Sequence, residues 1–197
     1  MRIITALFLL FFFFTPALSA QNINSWKSFN TKNEPKAQGL NVTFKYPPTF
    51  SRSPGAKGIS FVEFSLLDYE HGYGSYISMA TLDMPPKFVD GLLKTTSGQW
   101  SEEMVDAFCA DSMAHLDGAQ SYTTSFYKGY PVCDFNIIQH DIMPSGEYRF
   151  IKLRYIIYNY KLISAQYGNV IVDLKSNKFN SNVKEECEPF YNSIELN

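Results

Sequence analysis

From Ser121 to Tyr167 the chain alternates apolar and polar residues in runs separated by turn residues, and such a stretch folds as antiparallel sheet. The runs are Ser121 to Tyr127, Tyr130 to Ile142, Tyr148 to Tyr158 and Leu162 to Tyr167. Lys128-Gly129, Pro144-Ser145-Gly146 and Asn159-Tyr160-Lys161 separate them. Cys133, Phe135 and Ile137 fall on one face of their strand, and Ile151, Leu153, Tyr155 and Ile157 on one face of the next. Lys152 and Arg154 occupy the reverse face, which is therefore expected to be the wetter one.

The first half adds strands and one clear helix. Leu40 to Tyr46 alternates until Pro47-Pro48 stops it; Ile59 to Leu67 and Tyr76 to Leu82 read as two further strands. The turn-rich residues 51–58 and the Gly/Tyr-rich Asp68 to Ser75 read as loops. Ser101 is a good N-cap, with Glu102 and Glu103 where the helix dipole favours negative charge. Trp100 and Val105 are spaced for a hydrophobic staple. Met104, Val105, Phe108, Cys109, Ser112, Met113 and Leu116 share a face, and Asp117-Gly118 ends the helix. Phe88, Val89, Leu92 and Leu93 have the spacing of a short helix. Phe179, Val183, Cys187, Phe190, Tyr191 and Ile194 recur at helical spacing, with Pro189 expected to kink that helix or begin a new turn. Runs of antiparallel strands punctuated by helices predict an α+β fold: about six to seven strands packed with two main helices.

This order carries local motifs. Gly39-Leu40-Asn41-Val42-Thr43-Phe44-Lys45-Tyr46-Pro47 is an extended strand closed by Tyr-Pro. After the helix come Tyr127-Lys128-Gly129-Tyr130-Pro131-Val132 and finally Phe190-Tyr191-Asn192-Ser193-Ile194. In these motifs and their order the chain resembles the PsbP-like superfamily, which has bacterial secreted and lipoprotein branches and a eukaryotic Ran-binding branch. The resemblance spans residues 38–196. It implies a PsbP-like sandwich and a binding or assembly role, and it supplies no catalytic residues.

The N-terminus reads Met1-Arg2, an apolar run from Ile3 to Phe14, then Thr15-Pro16-Ala17-Leu18-Ser19-Ala20. A positive start, a short apolar core and small residues at the exit form a secretory signal, and the run is too short for a permanent anchor. The expected division is a signal peptide over 1–20, a polar N-terminal arm over 21–38 docked by Trp26 and Phe29, and one domain over 39–197. The product is expected in the periplasm or outside the cell. No Cys near residues 15–22 offers a lipid anchor, and no later segment has membrane-spanning length. Lys plus Arg number 17 against 19 acids, a net charge of −2, which argues against a nucleic-acid partner.

Cys109, Cys133 and Cys187 allow one internal bridge and three pairings, among which the sequence does not choose. The absence of a CxxC motif argues against thioredoxin-like chemistry. Candidate binding residues lie in the segment 68–76. Asp68, Glu70 and His71 have ligating atoms, though without a metal-site spacing, and Tyr73 and Tyr76 are able to stack on a sugar or peptide. The simpler reading is a hairpin loop whose tyrosines cover the sheet edge. His115, one turn after Asp111, reads as a structural histidine paired with it, and His140 sits near a strand end. Asn41-Val42-Thr43 fits the glycosylation pattern but lies in a strand. No signature of nucleophilic catalysis is present. The expectation is an exported, non-enzymatic binding or assembly factor with a protein or envelope partner and no cofactor. The alternatives are a small secreted hydrolase or metal-dependent enzyme using His71 or His140, and an effector acting on another cell.

Overall fold

The computed structural model describes residues 25–53, 62–68, 73–94, 99–140, 148–171 and 187–197. Among these residues ten strands and two longer α-helices follow in chain order: β1 (Lys27–Asn30), β2 (Val42–Tyr46), β3 (Ser51–Ser53), β4 (Val62–Asp68), β5 (Tyr73–Asp83), α1 (Pro86–Lys94), α2 (Glu102–His115), β6 (Ala119–Tyr127), β7 (Tyr130–His140), β8 (Tyr148–Tyr158), β9 (Lys161–Ile171) and β10 (Glu195–Leu196). Residues 187–192 are also helical. Seven strands form one antiparallel sheet in the order β3-β4-β5-β9-β8-β7-β6, and β1-β2-β10 form a second. The α+β class is as expected.

The two faces of the large sheet bury different things. On one face Ile77, Met79, Val132, Ile156, Ile163, Ala165 and Tyr167 meet Val42 and Phe44 of the small sheet and Phe190 and Tyr191 of the C-terminal helix. On the other face Cys133, Phe135, Ile137, Ile151 and Leu153 meet Val105 and Cys109 of α2. A sheet with helices on one side and a second sheet on the other leaves neither apolar face of its centre in water. The Ser101 side chain caps α2 by accepting from the Met104 N–H at 3.2 Å. Beyond the helix Gly118 has φ +77°, which suits glycine. A disulfide joins Cys109 of α2 to Cys133 of β7, with Cα atoms 5.7 Å apart. Cys187 stays a buried thiol.

Several segments differ from the sequence expectation. Residues 27–30, expected in a polar arm, are β1, paired with β2 from Lys27↔Tyr46 to Asn30↔Thr43. Trp26 is buried and the Phe29 ring packs on Phe44 and Phe64, so the expected docking residues are built into the core. Ser51–Ser53, expected in a loop, pairs with β4. Tyr73 to Ser75, also expected in a loop, extend β5, because β4 on one side and the long β9 on the other continue the ladder through Asp68↔Tyr73 and Tyr73↔Ile171. The face of β8 carrying Lys152 and Arg154 is the wetter one, as expected: both are half-buried, whereas Ile151, Leu153 and Ile157 on the other face are buried. Register places Asp134 opposite Arg154 and Asn136 opposite Lys152. Arg154 Nε and Nη2 hold the Asp134 carboxylate at 2.7 and 2.8 Å, and the guanidinium lies 4.4 Å from the Tyr191 ring centroid. The charges neutralise one another under the C-terminal helix, and Lys152 donates to Asn136.

Candidate functional site

Two two-residue turns set the geometry at one end of the large sheet. Lys128 and Gly129, with φ 51° and 85°, close the β6–β7 hairpin in the doubly positive pattern that matches strand twist. Asn159 (φ 54°) and Tyr160 close the β8–β9 hairpin, Asn being tolerant of the left-handed region. Between these tips, α1 and Trp100 lies a cleft of about 500 Å³, lined by Val89, Trp100, Phe126, Tyr130, Asn159 and Tyr160 among others. A second cleft of about 370 Å³ lies on the other side of the Asn159-Tyr160 turn and shares both residues with the first.

Tyr160 is held in place at both ends. Its carbonyl accepts from the Met84 N–H at 2.7 Å, and its hydroxyl donates to Asp90 Oδ1 at 3.0 Å. That hydrogen bond and the Asp90 charge raise its pKa. The ring nevertheless stays 47% exposed. Tyr130 packs edge-on against Tyr158, centroids 4.7 Å apart. The charged pair in the second cleft, Lys161 and Asp83, is internally satisfied at 2.6 Å. Phe126, Tyr160, Leu82 and Phe88, four of the five exposed large apolar residues among those described, lie at this end. Rigid aromatic surface beside water, with its charges already paired, is the composition of a binding surface for a largely uncharged group.

The residues expected from sequence lie elsewhere. Asp68 and Tyr73 pair with each other at the ends of β4 and β5, at the far end of the sheet. Glu70 and His71 lie outside the described residues, and so does the side chain of His140. Tyr76 sits mid-sheet, opposite Ser65 on β4 and Gly168 on β9. Burial pushes its phenol up to about 12, with Arg149 opposing and Glu63 adding to the shift. His115 Nδ1 meets the Asp111 backbone carbonyl oxygen at 2.8 Å, so the expected partner residue is right but the carboxylate is not the contact. Among the described residues no group of three or more His, Cys, Asp or Glu converges to hold a metal ion. No helix among them is long and apolar enough to cross a membrane.

Tyr76 depends on a glycine. A Cβ at Gly168 would lie 2.4 Å from the Tyr76 ring. Gly168→Ala is expected to destabilise the protein by about 1–3 kcal/mol through overpacking. In a Tyr76→Ala background the same change should be nearly neutral, which a double-mutant cycle of urea unfolding would read as coupling. Equal losses in both backgrounds would place the strain elsewhere.

Sequence reasoning placed Tyr130 at the start of a strand and Tyr160 in a turn but did not join them to Trp100, Phe126 and Asn159. The available signal was Tyr160 itself: a large aromatic in a two-residue turn has little of its own strand to cover it.

No protein-family model matches the chain, and no curated relative matches it in sequence. Among solved structures it is similar to LpqN of Mycobacterium tuberculosis, described as involved in cell envelope biogenesis, at 9% identity and TM-score 0.49, covering 87% of this chain and 91% of that one. It is also similar to the cyanobacterial PsbP of Synechocystis sp. PCC 6803, at 14% identity and TM-score 0.47, covering 90% and 95%. The Ran-binding protein Mog1p of Saccharomyces cerevisiae matches at 11% identity and TM-score 0.47, covering 87% and 95%. Likeness at such identities concerns chain arrangement and says nothing of activity.

Proposed function

We propose that this chain is an exported, non-enzymatic binding or assembly factor, and that its partner is held at the aromatic cleft between the two hairpin tips. The observation that carries the reading is the cleft itself, where Trp100, Phe126, Tyr130 and Tyr160 present aromatic surface beside water. Aromatic anchors of this kind dominate binding energies when a partner desolvates them. Export is supported by the apolar N-terminal run ending in Ala17-Leu18-Ser19-Ala20 and by the Cys109–Cys133 bridge, since structural disulfides persist in oxidising compartments. The partner belongs to the envelope or the extracellular space.

The test is an affinity capture of the processed protein from its own envelope extract, with mass spectrometry of the bait and of what it retains. A stoichiometric partner should be retained by the wild type. Trp100→Ala and Tyr160→Ala should each weaken it roughly ten-fold or more, the scale of an aromatic anchor. A partner captured equally well by both variants would overturn the assignment of the cleft.

A further inference from the structure

Strand β6 is one edge of the seven-stranded sheet. It runs nine residues, Ala-Gln-Ser-Tyr-Thr-Thr-Ser-Phe-Tyr, without a charge or a proline, and most of it is exposed. Edges are ordinarily blunted by shortness, by charge or by proline, because a bare edge is a template for another strand. The opposite edge follows that rule: β3 has three residues and carries Arg52. On β6 the one irregularity is a register shift between Ala119 and Ser121, at its very start.

The turn fixes which backbone groups face outward. In a two-residue hairpin the closing pair, here Tyr127 and Tyr130, exchanges both hydrogen bonds. Alternation from Tyr127 then turns the N–H and C=O groups of Phe126, Thr124 and Tyr122 away from β7. Pro131 supplies an independent check. It stands opposite Phe126, where no N–H toward β6 is called for.

The outward segment is symmetric in chemistry about Thr124: aromatic, hydroxyl, Thr124, hydroxyl, aromatic, from Tyr122 through Thr123 and Ser125 to Phe126. In a two-fold antiparallel pairing centred on Thr124, Thr124 would face its own copy. Each Tyr122 would face the other copy's Phe126, and each Thr123 the other copy's Ser125. All three outward positions would then fall in hydrogen-bonded pairs at once, and cross-strand aromatic and hydroxyl pairs add to such a ladder. The strand itself carries no charge to repel a second copy. Helix α2 covers β7 through the Cys109 bridge and also reaches β6, where the Tyr122 hydroxyl donates to Asp106 at 3.0 Å; beyond that contact Thr124 and Phe126, on the same side as α2, remain exposed.

We propose that two copies of this chain pair through β6, antiparallel and centred on Thr124, to give one continuous sheet. A closed two-fold contact uses the same patch on both partners, as this segment is built to do. Since Phe126 also lines the aromatic cleft, the pairing brings the two clefts to one interface.

Sedimentation equilibrium of the processed protein should give twice the chain mass. Thr124→Pro removes an outward N–H at the dyad without touching the ladder to β7, and Thr124→Arg sets two cations against each other there. Both should lower the mass two-fold with the circular dichroism spectrum unchanged. A Thr124→Cys variant should cross-link to itself under mild oxidation, because hydrogen-bonded pairs hold Cα atoms at about 5.5 Å, within disulfide reach. Trp100→Ala should leave the dimer intact, so failure of the cleft and failure of the dimer are separable. A wild type at the monomer mass throughout, with no Thr124→Cys cross-link, would overturn the pairing. So would a dimer that survives both Thr124→Pro and Thr124→Arg. A monomer that instead binds a foreign strand through β6 would also overturn it.

Discussion

Replacing Phe44 by alanine should lower the unfolding free energy by about 3–5 kcal/mol, the range for a buried phenylalanine whose site does not collapse. Phe44 is fully buried in the middle of β2. Its ring centroid lies 5.6 Å from Phe29, 6.1 Å from Phe64 and 5.7 Å from Phe190. Those three rings come from β1, from β4 of the large sheet and from the C-terminal helix. Each is anchored by its own backbone ladder or turn, so none is free to move into the space that Phe44 leaves. The cavity would open where the small sheet, the large sheet and the helix meet. Phe44→Leu keeps much of the volume and should lose about 1–1.5 kcal/mol. Urea unfolding checks both, read as a shift of midpoint at constant slope. A loss below about 1 kcal/mol for the alanine variant would mean that the small sheet adds little to the cooperative core.

How far the fold was legible in sequence follows from where each signal resides. Val42 and Phe44 alternate with polar neighbours, and Ser101 announces the start of α2; both are local signals. β1 has only Phe29 turned toward the core, so Lys-Ser-Phe-Asn carries almost no periodicity, and its strand geometry comes from pairing with β2. The same holds for Ser-Arg-Ser of β3, which gains its geometry from β4. Arg154 was legible in part: its charge marks the wetter face of β8, but its pairing with Asp134, twenty positions earlier, appears only with the register. The cleft was the least legible feature, because Val89, Trp100, Phe126, Tyr130 and Tyr160 converge only after both hairpins have closed. The segment 68–76 was conspicuous for its composition. Composition does not say that Tyr76 folds down over Gly168 instead of facing a ligand.

Breaking the Cys109–Cys133 bridge, by Cys109→Ala with Cys133→Ala or by reduction, should remove about 3 kcal/mol, the loop-closure scale for cysteines this far apart in sequence. The bridge spans 24 positions and ties α2 to β7 with both sulfurs buried. Its effect should appear at the helix, because Val105 and Cys109 are the fully buried residues of α2, while Phe108, Met113 and Leu116 are only partly covered. The third cysteine does not compete for the bridge. Cys133 faces α2 and Cys187 packs in the core on the opposite side of the sheet, so a strand layer stands between them. Burial, reinforced by Glu188, pushes the Cys187 thiol up to about 12, so at neutral pH it holds its proton and is a poor attacking group. The native protein should therefore show no thiol reactive toward an alkylating agent, and one after unfolding without reductant. Oxidised and reduced protein with equal urea midpoints would count against the bridge as a stabilising tie. A reactive thiol in the native state would show that Cys187 is not sealed behind the sheet. The two measurements fail independently, because one reads the covalent tie on the helix side and the other the packing on the far side.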